Sequence, residues 1–88
     1  MKFEKSNIKD KKYSVITPKG KKIHFGNSNY EQYKDSTGLK IYSHLDHMDK
    51  KRRNRYLSRA KGIKNKNGKL TWKDPESANY YSIKFLWT

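Results

Sequence analysis

The sequence has no cysteine and only two prolines. Without thiols, neither a disulfide framework nor a thiolate zinc site can brace the fold. Acidic residues are scarce as well, with eight Asp and Glu against twenty-two Lys and Arg, for a formal net charge of +14. The few carboxylates are scattered over turns and helix starts. That leaves no clustered set for metal-assisted hydrolysis and no general base beside a fixed partner. A glycine-rich phosphate loop and a nucleophile motif are also missing. The chain is therefore read as non-enzymatic, with no cofactor and no small-molecule substrate. No apolar run approaches the roughly 18–20 residues of a membrane span, and the opening residues lack the apolar block of a secretory signal. A product of the cell interior is expected.

Aliphatic residues are also few. Apolar residues make up 32% of the 88, and the deficit is partly met by seven Tyr, three Phe and two Trp. A single domain of this length buries only about 60–65% of the surface its unfolded chain exposes, so the core has to be thin. Each aromatic can bury on the order of 150–250 Å², enough in sum for a marginal fold. The expected organisation is a flexible basic arm over residues 1–12, polar and without pattern, followed by a single small domain over 13–88. Its class is α+β, a short β-hairpin packed with two or three short helices.

Residues 13–25 carry the hairpin. Tyr13, Val15 and Thr17 alternate with Ser14 and Ile16, and Ile23 and Phe25 flank His24 on the return. Pro18 presets one turn dihedral, and Gly20 supplies the left-handed residue that closes the turn. Tyr30 to Tyr33 read as one helical turn facing the hairpin, and 39–48 as a short helix through Leu39, Ile41, Tyr42, Leu45 and Met48. Asp49 caps a longer helix over 50–61, which has no Gly or Pro before Gly62. Its buried side is marked by Arg53, Tyr56, Leu57 and Ala60. A brief strand is expected over 69–72. A last helix over 75–86 has Asp74 at the cap and Pro75 at its first position, with Ala78, Tyr81, Phe85 and Leu86 on one stripe.

The charge is concentrated in the longer helix. Lys50, Lys51, Arg52, Arg53, Arg55, Arg59 and Lys61 fall within twelve residues with no acid among them. Such a helix lacks the opposite charges at i,i+4 that normally offset its repulsion. Either it is a solvated face or an anionic surface lies against it, and the density of cations favours the second. A phosphate-lined partner would release counterions on binding, which makes affinity fall steeply with salt. The aromatics Tyr80, Tyr81, Phe85 and Trp87 are candidates for a protein interface, and Tyr30, Tyr33, Tyr42, Tyr80 and Tyr81 for stacking on bases or for core. His44, Asp46, His47 and Asp49 have the donors of a metal site but lack a third strong ligand, and the Asp residues sit where caps are needed, so no metal is assigned.

As an ordered set, certain residues resemble a known pattern: Lys22-Ile23-His24-Phe25-Gly26, Tyr30-Glu31-Gln32-Tyr33, His47, Asp49 and Arg52 with Tyr56 and Arg59, Gly62-Ile63, and Ala78-Asn79-Tyr80-Tyr81-Ser82 with Phe85-Leu86-Trp87. The pattern is similar to a family of small basic proteins of unknown function encoded by large DNA viruses of algae and amoebae. It spans residues 12–87. The chain departs from it over 40–45, which looks like an insertion, and over 64–75, which looks long. The resemblance implies a viral setting and a place in the virion, as a minor capsid, cement or genome-associated protein whose partners are capsid proteins, nucleic acid or both. It carries no catalytic residues. The alternative is a free nucleic-acid-binding protein without sequence preference, since no recognition-helix pattern is present.

Overall fold

The computed structural model describes residues 2–88. The chain is α+β: a three-stranded antiparallel sheet in the order β1-β2-β3 is followed by two α-helices. The strands are β1 (Phe3–Lys5), β2 (Lys11–Ile16) and β3 (Lys22–Asn27), and the helices are α1 (Lys50–Ala60) and α2 (Ala78–Leu86).

The hairpin forms as its alternation requires. Tyr13 pairs with Phe25 and Val15 with Ile23, so all four side chains share one face. Gly20 closes the turn at φ +82°, with its N–H on the Thr17 carbonyl. The expected arm over 1–12 is corrected: Phe3–Lys5 pairs with β2, setting Phe3 opposite Val15. Met1, the first residue of that arm, lies outside the described residues. The physical reason for the strand is Phe3. Its ring meets Phe25 at 5.9 Å and Phe85 at 4.6 Å, both edge-on, and so extends the apolar face by one strand.

Helix α2 lies on that face. Tyr81 and Leu86 join Tyr13, Val15, Ile23 and Phe25 in the buried core, with Phe3, Tyr42, Ala78, Tyr80, Phe85 and Trp87 packed around it. The helix begins three residues later than expected. Ser77 rather than Asp74 is its cap, accepting from the Asn79 N–H, while Asp74 accepts from Glu76 N–H in a preceding turn. Pro75 therefore sits before the helix, where its carbonyl accepts the Tyr81 hydroxyl at 2.6 Å.

Residues 28–49 are not helical apart from a single 3-10 turn at Ser43–Leu45. Both the turn expected at Tyr30–Tyr33 and the helix expected at 39–48 are corrected here. A buried polar network overrides their local spacing. The Lys12 ammonium donates to the Tyr30 carbonyl and to Gln32 Oε1, and Gln32 in turn donates to the Tyr42 carbonyl and to Asp46. Asp35 accepts the Tyr13 hydroxyl together with the Thr37 N–H and hydroxyl. The N–H groups of Lys34 and Ser36 reach the Leu86 and Phe85 carbonyls at 3.0 and 2.8 Å. The loop thus satisfies the carbonyls that α2 leaves open at its end. The strand expected at 69–72 is reduced to one bridge, Lys64 with Leu70, followed by a 3-10 turn at Thr71–Lys73.

Candidate anionic-ligand groove

Helix α1 starts where Asp49 accepts the Lys51 and Arg52 N–H groups at 2.9 and 3.2 Å. The Arg52 N–H in particular holds the Asp49 carboxyl below its usual range. At the other end Asn79 donates to the Ala60 carbonyl at 2.8 Å and to Thr71, which ties α1 to the start of α2. Between these ends the main fixing contact is aromatic. Tyr56 lies flat on Trp87, with ring centroids 4.0 Å apart and planes 9° from parallel.

That stack sets which cations act together. Two adjoining hollows open beside it, of about 610 and 620 Å³. Arg52, Tyr56, Arg59 and Trp87 line both, while Arg55, Asn54 and Ser58 complete the first. Lys11, Asn27, Tyr30, Glu31 and Ser82 contribute to the second, which reaches across to the end of the hairpin. Arg52, Tyr56 and Arg59 stand at i, i+4 and i+7 and so share one helix face. Among the described residues there is one ion pair, Arg52 with Glu31 at 3.0 Å, and it lies on this groove with both partners substantially exposed.

The seven expected cations do not form one surface. Arg52, Arg55 and Arg59 front the groove. Arg53 turns inward, its guanidinium 5.0 Å from the Tyr33 ring centroid and its Nε buried without a partner among the described residues. Lys61 lies 4.9 Å over Trp72, which it shares with Lys73. Lys50 and Lys51 occupy the exposed first turn. The interface aromatics also divide. Tyr81 is fully buried, Phe85 packs on Phe3, and Tyr80 lies edge-on to Tyr81 beneath Lys84. They are corrected to core and core margin, because a chain so short of aliphatics needs them there. Trp87 alone of the four faces the groove.

Of the His-Asp cluster, Asp46, His47 and Asp49 are committed to structure, while His44 is exposed. Asp49 caps α1, Asp46 holds Gln32 and the Asp35 N–H, and His47 Nδ1 accepts the Asp49 N–H at 2.9 Å. His47 therefore carries its proton on Nε2, which is buried between Trp87 and Tyr33 without a partner among the described residues. Burial, and then the Arg52 charge, push its pKa below the ordinary histidine value.

Several groove residues escaped the sequence reading. Lys11 falls within the expected arm, and Tyr56 is expected on the buried side, which is half correct because one ring face is covered by Trp87. The signal available was the Arg-x-x-x-Tyr-x-x-Arg spacing, which places an aromatic between two guanidiniums on one helix face. No helix among the described residues is long and apolar enough to cross a membrane. In comparison with known proteins, a family described as a family of unknown function (DUF5754) matches residues 1–37, which take in the three strands and the start of the following loop. No curated protein and no solved structure matches the chain.

Proposed function

We propose that this chain is a small non-enzymatic basic protein that lays the Arg52, Arg55 and Arg59 face of α1 on an acidic polymer or surface, as a structural component of a virus particle. The observation that carries the binding half is the groove. Three arginines line its two hollows with one carboxylate, Glu31, on a protein whose net charge is +14. Charge that dense destabilises the free protein by self-repulsion and is relieved when an anion covers it. The virion half rests on the resemblance of residues 12–87 to small basic viral proteins. The second reading, a free nucleic-acid-binding protein, uses the same groove and differs in where the protein resides.

Two measurements test this. Duplex DNA binding is titrated between low and physiological salt for the wild type and for a triple variant, Arg52→Ala, Arg55→Ala, Arg59→Ala. The log–log salt slope is expected to flatten by about 2 to 3, because each phosphate contact contributes close to 0.9. An unchanged slope removes α1 as the contact surface. Mass spectrometry of purified particles then separates the two readings. Presence at structural copy number supports the virion role, and exclusion from particles leaves the free binder.

A further inference from the structure

The groove holds more than charge. Tyr56 and Trp87 line both hollows together with Arg52 and Arg59, so a ligand that neutralises those arginines also meets aromatic surface. Along α1 the tyrosine lies between those two arginines, which are about 10 Å apart measured on the helix axis. Ser82 and Asn27 border the second hollow with neutral polar groups. Guanidiniums that track a backbone, with an aromatic platform set among them, are the combination that accepts unpaired bases. In a duplex the base faces are stacked on one another and only phosphates, sugars and base edges are presented, so the aromatic pair would have no face to stack on. An acidic polypeptide without aromatic residues, such as polyglutamate, offers carboxylates to the arginines and no flat ring to the stack.

We infer that the groove is a binding site for single-stranded nucleic acid, with phosphates on Arg52, Arg55 and Arg59 and a base against the Tyr56–Trp87 pair. This rests on the anion-binding reading above and adds the class of ligand. The site is sequence-tolerant in its stacking, since every base has a π face.

The test compares four probes on the intact protein at one salt concentration: an oligothymidylate of about ten nucleotides, an abasic strand of the same length, a duplex of matched charge and polyglutamate. The oligothymidylate is expected to bind roughly tenfold more tightly than the abasic strand, the worth of one stacked base. Trp87→Leu is expected to abolish that difference, and Trp87→Phe to keep most of it. Arg52→Ala with Arg59→Ala should weaken both strands together. Equal binding of the thymidylate and abasic strands overturns the inference while leaving the anion-binding reading standing. Polyglutamate or duplex binding as tight as thymidylate overturns it as well. If none of the four probes binds, both proposals fall. The abasic comparison needs no variant, so it remains decisive even if the Trp87 substitutions unfold the protein.

Discussion

Helix α2 carries one charge in nine residues and buries Tyr81, Ile83 and Leu86, whereas helix α1 carries six cations in eleven and buries only Ala60. The first is held by the sheet through the hydrophobic effect. The second is fastened at its ends by Asp49 and Asn79 and between them by the Tyr56–Trp87 stack, the Arg53–Tyr33 contact and the exposed Arg52–Glu31 pair. Helices short of core contacts belong to the low-stability part of a structure. In this molecule the part least secured by burial is also the part with most reason to wait for a ligand, because self-repulsion on α1 falls when anions arrive.

The sharpest way to probe that contrast is truncation on each helix. Leu86→Ala is expected to lower the unfolding free energy by about 2–5 kcal/mol, since the leucine is fully buried at the centre of the core. Leu57→Ala, on a half-buried position of α1, should cost clearly less by urea denaturation. Similar losses at the two sites would remove the distinction between the helices.

The alkaline limb of stability tests the loop network that clasps α2. Burial pushes the Lys12 ammonium down to about 8, against the opposing pull of Asp35 and Asp46. The unfolded chain therefore holds a proton between pH 8 and about 10.5 that the folded chain has released, and stability rises with pH across that window. The shift is worth about 3 kcal/mol in all. Tyr13, pushed up to about 12 by burial and by its bond to Asp35, keeps a proton that the unfolded chain loses above pH 10, so stability falls there. The expected profile climbs from pH 8 and turns over near pH 10, and Lys12→Met should flatten the climb. A monotonic fall from pH 8 in the wild type would contradict the arrangement.

Gly26→Ala addresses the seam between sheet and helix. Gly26 has φ +77°, and an added Cβ would stand 2.9 Å from Leu86 Cδ1 and 3.1 Å from Lys12 Cδ. Left-handed strain alone costs about 1–2 kcal/mol, and the contact with Leu86 adds to it. A thermal midpoint within a degree or so of the wild type would show that the seam is looser than its geometry. The smallest expected effect is on α1, where Lys51→Glu replaces a cation at the positive end of the helix dipole with an anion. A gain of about 0.3–1 kcal/mol is expected, diminishing with salt. No gain would mean that repulsion does not limit this helix.

The hairpin and both helices were legible because each has a local cause. Tyr13, Val15, Ile23 and Phe25 alternate, Gly20 turns, Asp49 caps, and Gly62 ends the run. What could not be read depends on groups distant in sequence. Phe3 becomes a strand residue only because Phe85 is there to meet it. Spacing alone suggests helical turns at 30–33 and 39–48, but the actual course of 28–49 follows Lys12, Tyr13, Gln32, Asp35 and Asp46, whose partners lie far along the chain. In the same way the cation run was visible as density, but its division among groove, Tyr33 and Trp72 was fixed by α1's orientation, and no local pattern encodes that.

The two tryptophans differ in a way that gives the molecule a built-in optical readout. Trp87 sits in the groove on Tyr56, with His47 close by, while Trp72 lies apart under Lys61 and Lys73. A ring or chain settling into the groove will change the emission of Trp87 and leave Trp72 as an internal reference. Occupancy can then be followed on the unlabelled protein, and a Trp72→Phe background isolates the reporting indole.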